Sequence, residues 1–244
     1  MVAGLSAWRL LRAPADASAL RTLRTGIVIA AVIAPLQIFA GDQHGLNTLA
    51  HQPAKIAAME ALWNTERGAP LVLFAVPNAE TRHNDFAIEV PKGASLILTH
   101  DQNGEVKGIE AFAPDTPPVA PLFFAFRIML AMGVLMLAVA WTGTWLLRKD
   151  QAPPRWLLWT FALCTFSGWV ATLAGWLVTE IGRQPWLVTG ILRTSQAVGR
   201  IPEASLGASL TGYILVYALM LAAYMVVITH LAGKGALPVR KEST

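Results

Sequence analysis

The stretch VAPLFFAFRIMLAMGVLMLAVAWTGTWLL, residues 119–147, decides the fold class. It holds a single charged side chain, Arg127, and exceeds the roughly 20 mostly apolar residues that a helix needs to cross a bilayer. Three more stretches read the same way, at 25–41, 156–181 and 206–231. In chain order the four are spans A, B, C and D, B being 119–147. The composition agrees: of 244 residues 55% are apolar and only 14% charged, with a mean hydropathy of +0.49. A water-soluble domain carries about a quarter charged residues. The single cysteine, Cys164, excludes an internal disulfide framework and a CxxC metal site. The net charge of +4 is read by location along the chain, and nothing in it implies a nucleic-acid partner.

The basic residues set the orientation. Residues 1–24 combine a half-length apolar piece, 1–11, with Arg9, Arg12, Arg21 and Arg24. The 148–155 turn has Arg148, Lys149 and Arg155, and the 232–244 tail has Lys234, Arg240 and Lys241. These segments share ten basic residues against three acidic ones, Asp16, Asp150 and Glu242, so the positive-inside rule places them in the cytoplasm. The loops at 42–118 and 182–205 then face outward, the first with ten acidic and five basic residues. The expected architecture is all-α and transmembrane: four spanning helices plus the tail of a fifth at the start, with one large outer loop between A and B. A signal peptide is not indicated, because the positive charge follows the apolar piece instead of preceding it. In the outer loop, 52–66 has helical spacing at Ile56, Met59 and Trp63, while 71–76, 86–90 and 95–99 read as short extended segments.

Several polar residues are expensive where they sit. Arg127 lies inside span B among Phe123, Phe124 and Phe126, so it calls for an anion or for headgroups to which it can snorkel. Met129 stands about 200° around the helix from it and reads as packing. Glu180 closes span C, at the wrong end of the helix dipole for an acid, which calls for a cation such as Arg183 or a metal. Trp176 precedes it by one turn, and Gly168, Ala171, Thr172 and Gly175 form a stripe open to another helix or a flat macrocycle. On the loop helix, Glu60 lies beside the apolar stripe, and Lys55 stands about 140° away. From spacing alone, mixed charges on a solvated helix explain them better than proton transfer does. The five histidines, His44, His51, His83, His100 and His230, have no metal-ligand spacing.

QPAKIAAMEALW at 52–63, VAPLFFAFRIM at 119–129 and GWLVTEIGRQPW at 175–186, with Gly41 and Asp42 ahead of the loop, resemble subunit I of the cytochrome bd quinol oxidases over nearly the whole chain. The resemblance implies that Met129 is an axial ligand of a low-spin haem b whose propionate Arg127 neutralises. It implies that Glu180 ligates a high-spin haem b, with Trp176 and Arg183 around it, and that a haem d or a third haem b completes the oxygen site. The loop matches the family's quinol loop in its short form, as in the cyanide-insensitive oxidases, with Lys55 and Glu60 at positions involved in quinol binding and oxidation. The implied reaction is oxidation of membrane quinol at the periplasmic face of a bacterial inner membrane and reduction of dioxygen to water, with oxidase subunit II as partner.

Family members are about twice as long. Their first half carries the histidine opposite the methionine, which would fall roughly three helical turns before Met1. The chain is therefore expected to be the C-terminal half of subunit I, inactive by itself. The alternative is a non-catalytic membrane scaffold that retains a quinol-binding loop; a transporter fragment would require inverted repeats that are absent from the sequence.

Overall fold

The computed structural model describes residues 1–148, 152–199 and 201–233. Lys149, Asp150, Lys234, Arg240, Lys241 and Glu242, used above for orientation, lie outside the described residues. The chain divides into two compact units, Met1–Gln196 and Ala197–Thr244. Among the described residues, four helical stretches are long and apolar enough to cross a membrane: Ala17–His51, Val119–Leu146, Arg155–Ile181 and Glu203–Leu231. The protein is a multi-pass membrane protein of helical class.

The first unit opens with α1 (Val2–Arg12). Asp16 caps the next helix, accepting hydrogen bonds from the backbone N–H groups of Ser18 and Ala19, and takes Arg9 as an ion-pair partner at 2.6 Å. That helix, α2 (Ala17–His51), contains span A as its apolar middle and continues for ten residues past Gly41. Pro35 stands inside it. A proline has no N–H to give the carbonyl four residues earlier, here Ala31, and the indole N–H of Trp141 donates to that carbonyl at 3.1 Å. The bond also fixes α2 against α5 (Val119–Leu146), the helix of span B.

Span C is not one continuous α-helix. It consists of α6 (Arg155–Leu163), a 3₁₀ turn at Cys164–Phe166 and α7 (Ser167–Ile181). Thr165 Oγ1 donates to the carbonyl of Ala162 at 2.6 Å and Ser167 Oγ to that of Cys164 at 2.8 Å, so side-chain hydroxyls take carbonyls that the helical ladder would use. Gly4 of α1 crosses here, with the space for a Cβ already filled by Thr165 and the carbonyl of Phe161. A core of Ala7, Leu10, Leu23, Ile27, Leu157 and Phe161 surrounds the crossing.

The 42–118 loop has its own secondary structure. The helical reading of 52–66 shortens to α3 (Pro53–Met59), which ends in a Schellman turn: Leu62 N–H bonds the carbonyl of Ala57 and Ala61 N–H that of Ala58. Ala61 takes the left-handed conformation there, φ 53°. Two short strands, β1 (Glu66–Arg67) and β4 (Glu105–Val106), pair antiparallel, as do the longer β2 (Leu71–Asn78) and β3 (His83–Val90). Residues 95–99, read as extended, are helical instead, in α4 (Gly93–Thr99). Ser95 decides this: its hydroxyl accepts from Ala69 N–H and donates to the carbonyl of Gly104, and Lys92 and His100 end the helix on both sides in left-handed conformation. Ile56, Leu62, Val72, Ala94, Val106 and Ile109 form the loop's core together with Leu122 and Phe123 of α5 and Val178 of α7. The loop thus sits on α5 and α7 at one end of the unit.

After α7, β5 (Trp186–Val188) and β6 (Leu192–Arg193) form a small antiparallel ribbon. In the second unit α8 (Glu203–Gly233) is apolar on all sides, as expected of a lipid-facing or partner-facing span.

Candidate functional site

The Schellman turn after α3 reverses the chain and turns Glu60 inward, where its side chain is only 7% exposed. Arg127, 14% exposed, meets it: Nη2 donates to Glu60 Oε2 at 2.7 Å, and Nε donates to the carbonyl of Val72 at 2.7 Å. The guanidinium also lies over the rings of Phe123 and Phe126, 4.7 and 5.3 Å from their centroids. The anion that span B demands is therefore supplied within the chain by the 42–118 loop, a pairing 67 residues apart that no local pattern announces. One guanidinium nitrogen, Nη1, is buried without a hydrogen-bond partner. Such an atom is costly unless a further acceptor reaches it. Asn84 steadies this corner, accepting from the Trp63 indole at 2.8 Å and donating to the carbonyl of Ala61 at 3.0 Å. Neither residue stood out in the sequence as part of the site.

Met129, on another face of α5, is half-buried, and its sulfur lies 3.0 Å from where a Cβ on Gly175 would stand. The glycine in the small-residue stripe of α7 is thus the seat of the thioether. Trp169, Leu173, Trp176 and Glu180 recur at helical spacing along α7 and are all exposed, Trp176 by 59%. They make a flat apolar strip that ends in a carboxylate.

Lys55 turns elsewhere than Glu60. Its Cγ and Cε fill the space that a Cβ on Gly182 would need, at 2.8 and 2.7 Å from that position, so the side chain runs along the backbone just after α7. Burial and the nearby positive charge of Arg183 push its ammonium below the ordinary lysine range, and Glu180 partly opposes the shift. Lys55, Arg183, Gln184, Trp186, Asp115 and Gln52 line a cavity of about 270 Å³. Asp115 is engaged by Arg193 at 2.7 Å, and that guanidinium stacks on Trp186 at 4.9 Å.

A family model described as cytochrome bd terminal oxidase subunit I matches residues 1–236. The chain belongs to the cytochrome bd terminal oxidase subunit I family. It is 29% identical to cytochrome bd ubiquinol oxidase subunit 1 of Bacillus subtilis over 96% of its own length and 53% of that protein's. It is 28% identical to cytochrome bd-II ubiquinol oxidase subunit 1 of Escherichia coli, covering 99% of this chain and 60% of the relative. That alignment runs over 315 positions, more than this chain possesses, so the relative carries insertions that are missing here. The fold matches the solved bd oxidase of Geobacillus thermodenitrificans with a TM-score of 0.83 at 24% identity, over 96% of this chain and 54% of that one. The bd-family chain described here thus spans between 53% and 60% of the length of these relatives.

Cytochrome bd oxidases hold haems, and the residues present fit such groups. Arg127 Nη1 is an unfilled donor suited to a carboxylate, Gly175 leaves room beside the Met129 thioether, and the α7 strip offers a flat apolar surface ending in a single acid. Among the described residues no cluster of three His, Cys, Asp or Glu side chains is positioned to hold a metal ion. An iron already held by a porphyrin needs only one or two protein ligands.

Proposed function

We propose that the chain forms the C-terminal half of a bd-type quinol:oxygen oxidoreductase, acting with an N-terminal half of subunit I and with oxidase subunit II in a bacterial inner membrane. The outer loop, 42–118, serves as the quinol loop on the periplasmic side, with Lys55 and Glu60 as the residues on which quinol oxidation depends. Met129 and Arg127 serve a low-spin haem b as axial ligand and propionate partner. Glu180 serves as ligand of a high-spin haem b, with Trp176 and Arg183 beside it, and a haem d or third haem b completes the set. When bound, these groups supply one-electron transfer and the iron at which dioxygen is reduced to water.

The observation that carries this reading is the buried Glu60–Arg127 pair. A carboxylate of the loop and a cation on the methionine-bearing helix share one hydrogen bond, while the second guanidinium nitrogen stays available to another anion. In this reading Glu60 takes a proton from a quinol hydroxyl, and Arg127 balances the charge left on the carboxylate when the proton moves outward. The scaffold alternative has no use for a buried, incompletely satisfied arginine.

The test uses the chain assembled with its N-terminal complement and second subunit. Met129→Leu is expected to remove the six-coordinate low-spin haem spectrum, and Glu60→Ala to slow quinol oxidation with all haems present. Unchanged spectra and unchanged quinol turnover in both variants would overturn the assignment.

A further inference from the structure

The β2–β3 hairpin carries its apolar side outward. Phe74 pairs with Ile88 across it, and the two are 50% and 60% exposed. Val90, paired with Leu71, is exposed as well. The polar side chains go the other way. Glu89 pairs with the buried Val72, and a cavity of about 510 Å³ between the hairpin and the segment after α3 takes Arg82, His83, Asn84 and Glu89 into its wall, with the exposed ring of Phe86. A hairpin whose free face meets water has the opposite order, apolar toward the core and polar outward. α4 starts at the same corner, with Gly93 set against Leu71 and Val90, and it buries Ala94, Ser95 and Leu98 while Leu96 and Ile97 are exposed.

Two contacts fix the depth of these surfaces along the spans. Arg127 of α5 donates to the carbonyl of Val72, which ties β2 to the level of that arginine. From Arg127 to the end of α5 at Leu146 is about 28 Å at 1.5 Å per residue, close to the hydrocarbon thickness of about 30 Å. His100, which ends α4, approaches Asp42 of α2 to 3.9 Å. Asp42 is the first charged residue of α2 after Arg24, about 27 Å away along the helix. Both contacts therefore put the exposed apolar side chains of the loop at the rim of the hydrocarbon layer, well below the head of α2. Just below Asp42, Ile38 and Phe39 of α2 are exposed too, so the apolar surface of the loop lies at the edge of the apolar surface of a span.

We propose that the β2–β3 hairpin and α4 are an interfacial membrane anchor, with Phe74, Ile88, Val90, Leu96 and Ile97 seated among the lipid headgroups and upper acyl chains of the leaflet on the loop's side. An apolar face at this depth gains its burial from lipid, as an amphipathic element lying in the membrane plane does. The hairpin's polar side then encloses the cavity away from the bilayer. The loop is held from within by Arg127 and from without by lipid. The inference needs only the spans and the loop's contacts with them, and stands apart from the haem and quinol assignments.

The experiment places an environment-sensitive fluorophore at Ile88→Cys or at Ile97→Cys in the complete oxidase complex, with Cys164 of this chain replaced by serine and the signal of the complex without an introduced cysteine subtracted. Both positions are exposed, so the changes perturb folding little. The complex is reconstituted in vesicles of phosphatidylethanolamine and phosphatidylglycerol, and quenching by aqueous iodide is compared with quenching by lipids carrying a nitroxide near the top of the acyl chain. At both sites the nitroxide lipid is expected to quench several-fold more strongly than iodide, with emission shifted to the blue relative to the same label at Ala50→Cys, which stands about 12 Å farther along α2 than Asp42. Strong iodide quenching without lipid quenching at either site would leave that site in water and overturn the proposal. Protection from both quenchers would show that protein, such as another subunit, covers the surface, and would overturn it as well.

Discussion

Glu60 and Arg127 hold each other at 2.7 Å in a pocket that excludes nearly all solvent, and this contact joins the 42–118 loop to a membrane helix. Removing one partner leaves the other charge buried and unmatched. Glu60→Ala or Arg127→Met alone is expected to cost on the order of 3–5 kcal/mol. The double variant Glu60→Leu with Arg127→Met should cost clearly less than the two single changes together. Denaturant unfolding in detergent micelles measures all four states, and strictly additive costs would show that the two residues are not coupled.

Ala61 holds a left-handed conformation at the position where helix ends usually carry glycine. Its Cβ makes that conformation costly by about 1 kcal/mol. Ala61→Gly is therefore expected to raise the thermal midpoint of the chain slightly, or leave it unchanged where the loss of unfolded-chain restriction offsets the gain. A clear fall would mean that the buried methyl contributes more packing than the turn loses in strain.

Trp141 replaces, for the Ala31 carbonyl, the hydrogen bond that Pro35 removes. Trp141→Phe keeps the aromatic bulk and deletes the donor, and is expected to destabilise by about 1–3 kcal/mol, the cost of leaving a backbone acceptor unsatisfied away from water. Pro35→Ala in the same background should recover the loss, since the helix then supplies its own N–H. Thermal unfolding followed by circular dichroism reads both.

Asp16 gives a pH dependence of definite sign. The N–H of Ala19, the largest influence, and then Arg9 hold its carboxyl below the ordinary value of 3.8. The folded chain therefore binds that proton less readily than the unfolded chain does. The stabilisation is complete above the ordinary carboxylate range and fades as pH falls below about 3.8 through the lower folded value. Asp16→Asn retains an oxygen for the cap but no titration, so the acid limb of stability assigned to this residue should vanish. Midpoints measured across a pH series in both proteins check this.

The spans and the loop were legible because their signals are local. Long apolar runs such as 119–147 leave no other reading, and β2 and β3 announce themselves by β-branched residues between turn formers. The failures share a cause. Residues 95–99 carry a strand-like composition, but Ser95 is captured by Ala69 and Gly104, partners that sequence spacing does not identify. The break at Cys164–Phe166 has no glycine or proline to mark it and arises from hydroxyl competition where α1 crosses. Arg127 was recognisable as a residue in need of an anion, whereas the identity of that anion depended on where a turn 67 residues away aims a carboxylate. The divergence of Lys55 from Glu60 follows from the same turn: α3 stops at Met59, so the helical angle between the two residues no longer describes where they point.

The unbroken length of α2 carries a mechanical consequence. Its 35 residues extend about 52 Å at 1.5 Å each, against a hydrocarbon layer of about 30 Å. It is a stiff mast, footed by the Arg9–Asp16 clasp and bearing α3 at its head. A lean of about 10° at the foot sweeps the head sideways by roughly 9 Å for that length. The Trp141 bond to Ala31 and the seating of Glu60 on α5 and Lys55 beside Gly182 brace the mast against that sweep, so tilting forces on its lower half load the contacts of those two residues.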